Sequence, residues 1–123
     1  MIRIKDLHKQ FGQLKVLDGV TFEIQPGGVV AVLGPNGSGK TTILKTILGM
    51  VLPESGEAFF QDKPILGKWN YRNDIGYLPQ IARFPENLTV KELIDMIKNI
   101  RNVEANEEAL IKRFGLGPSL DKK

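Results

Sequence analysis

An α/β fold built round a phosphate-wrapping loop is what this sequence predicts, and three observations predict it. Residues 34–41 read Gly-Pro-Asn-Gly-Ser-Gly-Lys-Thr, which fits G-x-x-x-x-G-K-[ST], a glycine-rich turn whose main-chain N–H groups close on nucleotide phosphates. The run before it, Val29-Val30-Ala31-Val32-Leu33, is continuously apolar, as a parallel strand buried on both faces requires. The stretch after it, Thr42 to Leu48, places apolar side chains at 43, 44, 47 and 48, one stripe of a helix that Gly49 can end. Strand, loop and helix therefore follow in the order that turns successive N–H groups and a positive helix end toward one anion.

Within the loop, Lys40 would add a point charge at the β- and γ-phosphates. Thr41 carries a hydroxyl where this motif puts a Mg²⁺ ligand, because a hard cation held between phosphates takes oxygen donors. Thr42 can donate to a further phosphate.

The elements around this centre read in order. Ile2 and Ile4 alternate with Arg3 and Lys5, and residues 16–24 alternate again towards Pro26-Gly27-Gly28. Two half-exposed strands with a turn at Gly12-Gln13 are expected. Phe11 lies between them, and spacing alone favours a core position for it. Pro53-Glu54-Ser55-Gly56 reads as a turn and residues 57–60 as a short strand closed by Gln61-Asp62. Residues 63–73 show no clear period and read as loop with a helical turn. Residues 74–78 read as a second parallel strand stopped by Pro79, with Gln80 past its C-terminal end, where open α/β sheets place ligands. Thr89 and Glu92 form a capping box, with Leu88 able to staple onto Leu93. That helix carries apolar residues at 90, 93, 94, 97 and 100, and a further helix spans Glu104 to Phe114 before Gly115.

Composition narrows the class. With 123 residues, 41% hydrophobic and 25% charged, the chain has a soluble globular profile and room for one domain or part of one. No apolar run approaches the roughly eighteen residues of a membrane span, and charges within residues 1–6 replace the apolar core of a signal peptide. Zero cysteines exclude disulfides and thiolate metal sites and fit a reducing compartment. The net charge of +3 arises from interspersed signs, so nothing demands a nucleic-acid partner. His8, the single histidine, reads as an exposed strand end. Trp69 and Tyr71 read as packing or loop-surface residues, and Glu54, Glu57 and Asp74 as solvated carboxylates with no acid/base pairing.

Taken together, the ordered set resembles the ATP-binding subunit of an ATP-binding cassette (ABC) transporter. It comprises an antiparallel start with Phe11, the Gly34–Thr42 loop, Pro-Glu-Ser-Gly, Ile-Gly-Tyr-Leu-Pro-Gln and a capped Leu-Thr-Val helix. The resemblance implies a P-loop ATPase core with an N-terminal antiparallel β region at 1–28 and 56–61. The core itself would take 29–50 and 74–80, and the start of a helical subdomain 88–116. It implies that Phe11, where the family more often has Tyr, stacks on adenine, with Val16 beside the base. Asn36, Gly37, Ser38, Gly39, Lys40, Thr41 and Thr42 would hold the phosphates of ATP, with Lys40 and Gln80 serving hydrolysis and Thr41 and Gln80 touching Mg²⁺.

It further implies a membrane-spanning partner subunit, a dimer of ATPase subunits and a place on the cytoplasmic face of the cell membrane. Gly76 to Gln80 looks more like exporter or membrane-remodelling relatives than sugar or amino-acid importers. The family's signature sequence, acidic strand and switch histidine would fall after Asp121, so residues 1–123 are expected to be a front half. A soluble relative acting on ribosomes or DNA is the alternative. Its usual long insertion after the phosphate loop has no room between residues 49 and 80. A nucleoside kinase or GTPase would need its own base-reading or acceptor residues.

Overall fold

A computed structural model describes residues 1–81, 83–101 and 107–122. Two compact units divide the chain, Met1–Gly76 and Tyr77–Lys123.

In the first unit, β1 (Ile2–Phe11) and β2 (Leu14–Ile24) form a long hairpin. Its turn falls at Gly12-Gln13 as expected, with Gly12 at φ 59°. β3 (Ser55–Phe60) pairs antiparallel with the other edge of β1, and the short β4 (Lys63–Pro64) completes a sheet of order β2-β1-β3-β4. Gln61 and Asp62, both at positive φ, make the two-residue connection from β3 to β4, the backbone that matches strand twist in tight hairpins.

Strict alternation would set Ile4 and Leu7 on opposite faces, yet both are fully buried. The register of β1 against β2 shifts between them, and the extra residue of a bulge returns Leu7 to the core side. Asp6, inside that bulge, has φ 51°. Gly56 of β3 passes so close that a Cβ there would lie 2.3 Å from the Asp6 carbonyl oxygen. Ile4, Leu7, Leu17, Ala58 and Ile65 form the core, joined by Ile47 of the helix α1 (Lys40–Ile47).

α1 buries Thr46 and Ile47, with Thr46 Oγ1 donating to Thr42 O at 2.9 Å. Gly49, at φ 67°, ends it as expected and donates to Thr46 O. A 3₁₀ turn, Asn70–Asp74, anchors the same end. Tyr71 OH donates to Ile47 O at 2.7 Å and an Arg72 guanidinium N–H to Gly49 O at 3.1 Å. Tyr71 is thus a packing residue tied to a helix end, while Trp69 is exposed.

Two expected strands do not form. Residues 29–33 and 75–78 have no strand ladder, and Asp74 belongs to the 3₁₀ turn. Val29 and Leu33 are 103% and 89% exposed. A parallel strand needs a neighbour for its N–H and C=O groups and a cover on both faces, and among the described residues no strand ladders with either segment. Residues 30–33 instead line a groove of about 330 Å³ with Phe22, Ile24 and Ile43.

In the second unit, α2 (Val90–Arg101) begins at the expected capping box. Thr89 N–H donates to Glu92 Oε2 at 2.8 Å and Glu92 N–H to Thr89 Oγ1 at 3.2 Å. Two first-turn N–H groups, those of Val90 and Lys91, donate to Lys122 O and Leu120 O. α3 is Glu107–Arg113; of the expected Glu104–Phe114, residues 104–106 lie outside the described residues and Phe114 falls in the turn after the helix. Gly115 N–H donates to Lys112 O at its end, and Lys98 donates to Glu107 between the helices. A final 3₁₀ turn spans Gly117–Ser119.

Candidate functional site

The loop from Gly34 to Gly39 leads into α1 through Gly39, which sits at φ 87° with no side chain to cap the helix. Only glycine fits there. A Cβ on Gly39 would lie 2.8 Å from Val16 O and 2.9 Å from Leu17 Cδ2, so the loop is pressed onto β2 and its backbone takes a conformation that L side chains avoid. Gly37, at φ 83°, has open space where its Cβ would be.

Ser38 N–H closes the loop onto Pro35 O at 3.3 Å, and Ile43 N–H starts the helical ladder on Gly39 O at 2.9 Å. The N–H groups of the first turn before Ile43 therefore have no capping side chain, and no acidic residue stands in that turn. This donor set suits an anion, since free amides and the helix dipole act in the same direction.

Lys40 crosses the loop. Its Nζ donates to Gly34 O at 2.7 Å and Pro35 O at 2.6 Å, with a longer contact of 3.5 Å to Ser38 Oγ. The ammonium group has three protons, so two hold the loop's shape and the third is the least engaged. Thr41 is exposed and Thr42 half-buried in the first turn, while Asn36, Gly37 and Ser38 are exposed on the loop. These residues fit a Mg²⁺-bound polyphosphate: amides and an ammonium for the anion, and an exposed alcohol, Thr41, as the hard oxygen donor.

Val16, half-buried on β2, touches the loop at Gly39. Phe11 pairs with Leu14 at the hairpin end and is 50% exposed. The core position that strand spacing favoured is therefore corrected: the alternating face of β1 reaches the tip after the sheet has ended. Lys9 Nζ lies 5.1 Å from the Phe11 ring centroid. Gln80 is exposed in the second unit and follows irregular chain rather than a strand.

Three side chains read as bland in sequence have definite partners. His8 is half-buried rather than an exposed strand end. Its Nε2 is 3.1 Å from Asp6 Oδ1, its Nδ1 3.1 Å from Asp18 Oδ1, and the Gly19 N–H lies 3.2 Å from Nδ1. Glu54 accepts from Lys9 Nζ at 2.8 Å and from the Gln10 N–H at 2.6 Å. The hydrogen bond from the Lys9 ammonium is the main influence that holds the Glu54 carboxyl below its ordinary 4.5. Glu57 pairs with Lys5 at 3.6 Å across β3 and β1. The spacing of Lys9 and Phe11, two apart on one strand face, was a signal for their contact. Glu54 offered none, standing 44 and 45 positions from its partners.

Glycine-rich loop, helix and antiparallel sheet together have the arrangement of the phosphate-loop class of folds. The ABC transporter family model matches residues 17–123, and the chain belongs to that family. It is 46% identical over 74 residues to the xylose/arabinose import ATP-binding protein XylG of Sulfolobus acidocaldarius, covering 60% of this chain and 29% of that protein. It is 34% identical to the sulfate/thiosulfate import ATP-binding protein CysA of Bradyrhizobium diazoefficiens, covering 92% of this chain and 34% of the relative. Against the Nod factor export ATP-binding protein I of Burkholderia thailandensis the identity is 32%, over 86% of this chain and 35% of the relative.

The fold is similar to the solved structure of an ABC transporter ATP-binding subunit, with TM-score 0.85 and 27% identity, over 98% of this chain and 52% of that one. The fold class is thus the ABC ATPase type, and the chain spans about a third of the length of the curated relatives it matches. No helix among the described residues is long and apolar enough to cross a membrane.

Proposed function

We propose that this chain binds Mg²⁺-ATP through residues 36–42 and, as part of a longer ABC transporter ATP-binding subunit, contributes to ATP hydrolysis that drives transport. Lys40 neutralises charge at the β- and γ-phosphates, the loop amides and α1 hold the rest, and Thr41 offers its hydroxyl to the metal. Bound Mg²⁺ would supply charge neutralisation across the transferred phosphoryl group. Phe11 stacks on adenine with Val16 beside it, and Gln80 serves the metal and the attacking water. Residues 1–28 and 56–61 form the antiparallel β region of this subunit, 29–50 and 74–80 its core, and 88–116 the start of its helical subdomain.

A membrane-spanning subunit and a second ATPase subunit complete the assembly on the cytoplasmic face of the membrane. The importer and exporter ATP-binding proteins named above, and a bacterial ABC cassette solved as a dimer with TM-score 0.74, 27% identity and coverage of 88% of this chain and 52% of that one, support this reading.

The observation that carries the proposal is the uncapped, acid-free N-terminus of α1 spanned by the Lys40 ammonium. Lys40→Ala removes charge-assisted hydrogen bonds and should weaken MgATP binding about tenfold or more. Unchanged affinity of that variant in calorimetry overturns the phosphate assignment.

A further inference from the structure

Beyond His8 the hairpin loses one of its neighbours. The last pair of β1 with β3 is His8 with Ser55, while pairing with β2 continues to Phe11 and Leu14. Lys9, Gln10 and Phe11 therefore lie on a two-stranded extension with an open outer edge, and an unsupported ribbon of two strands is marginally stable in water. The register against β2 also shifts between Lys9 and Gln10, so the ladder is irregular just before the aromatic ring.

Glu54 stands at that open edge, one residue before β3. Its own N–H donates to His8 O at 3.0 Å. Its Oε2 then accepts the Gln10 N–H at 2.6 Å, so a carboxylate takes the place of the missing strand. Its Oε1 accepts from Lys9 Nζ at 2.8 Å. The Lys9 side chain is only 16% exposed, and its ammonium is held over the Phe11 ring. A cation within about 6 Å of a ring centroid is attracted to the ring face. One carboxylate thus fixes the backbone before Phe11 and places a charge against the ring itself.

We propose that Glu54 and Lys9 are positioning residues for Phe11, holding its ring so that the face away from the ammonium serves as the platform for a purine base. This rests on the reading of Phe11 as the adenine-stacking residue. The carboxylate acts through the ribbon and the lysine; neither residue is assigned a contact with phosphate.

Calorimetry on the 1–123 chain with MgATP and, separately, with Mg²⁺-tripolyphosphate tests this, because tripolyphosphate has the anion without the base. Phe11→Ala and Glu54→Ala should each weaken MgATP binding roughly three- to tenfold and leave tripolyphosphate binding unchanged. The double variant should be no worse than Phe11→Ala alone, since both remove one platform. Glu54→Gln, which keeps an oxygen acceptor for the Gln10 N–H, should recover part of the loss. If Phe11→Ala weakens MgATP and Glu54→Ala does not, the positioning role is wrong while the platform stands. If Phe11→Ala itself has no effect, the platform fails and the proposal with it. Equal loss of tripolyphosphate binding in Glu54→Ala shows damage to the fold at large and overturns the proposal.

Discussion

The hairpin of β1 and β2 and the segment 29–33 had equally clear strand patterns in sequence, yet only the hairpin is a strand structure. Ile4, Leu7 and Leu17 are at most 2% exposed, whereas Val29 and Leu33 are almost wholly exposed. The hairpin carries its own partner: β2 returns beside β1 through a tight turn, and β3 closes the other edge. The segment 29–33 has side chains suited to a buried sheet and, among the described residues, no neighbouring ladder. Side-chain periodicity specifies which face is apolar, but hydrogen bonds from another strand make the element. The largest test of this contrast is a pair of truncations. Leu7→Ala should destabilise the chain by about 2–5 kcal/mol, and Leu33→Ala by less than about 0.5 kcal/mol, both measured by chemical denaturation. Comparable losses would mean that residues 29–33 are packed in solution and would remove the contrast.

If the segment before the loop does not hold α1, other contacts must, and the structure supplies them at both ends. Gly39 seats the N-terminus on Val16 and Leu17 of β2, and Tyr71 and Arg72 hold the C-terminal carbonyls. Tyr71→Phe keeps the packing against Phe60, whose ring centroid is 6.2 Å away, and deletes one hydrogen bond to a partly buried carbonyl. A loss of about 1 kcal/mol in thermal or chemical unfolding is expected. No loss would mean that α1 is held chiefly by its apolar stripe, and the helix would then resemble the hairpin in being legible from periodicity alone.

What could be read in the sequence was local. The Gly12-Gln13 turn, the stop of α1 at Gly49 and the reciprocal Thr89–Glu92 cap all depend on residues a few positions apart, and all are present. The glycine-rich turn into α1 was equally legible because its glycines, lysine and helix start lie within one short stretch. Residues whose meaning depends on distant partners were misread. His8 looked like a strand end because Asp18 is ten positions away, and Glu54 looked solvated because its partners are on another strand. The strand expected at residues 74–78 failed for the same reason as that at 29–33, and it left Gln80 without the strand end that had seemed to aim it.

The smallest expected effect comes from two carboxylates, one in the first unit beside the hairpin and one in the second. Lys9 lowers the Glu54 carboxyl and Lys98 the Glu107 carboxyl below the ordinary 4.5, each chiefly through a side-chain hydrogen bond. A lowered folded-state value means that the unfolded chain binds more protons in the acid range. Each group therefore adds stability above its ordinary value, and that addition is lost as pH falls through the lower folded value. Both pairs are accessible enough for salt to screen them. Far-UV circular dichroism at low salt should show stability falling as the pH drops below about 4.5, more steeply in the wild type than in Glu54→Gln or Glu107→Gln. High salt should bring the three curves together. Superposed curves at low salt would show that neither lysine bond persists in solution, and would loosen the edge of the hairpin that Glu54 is held to close.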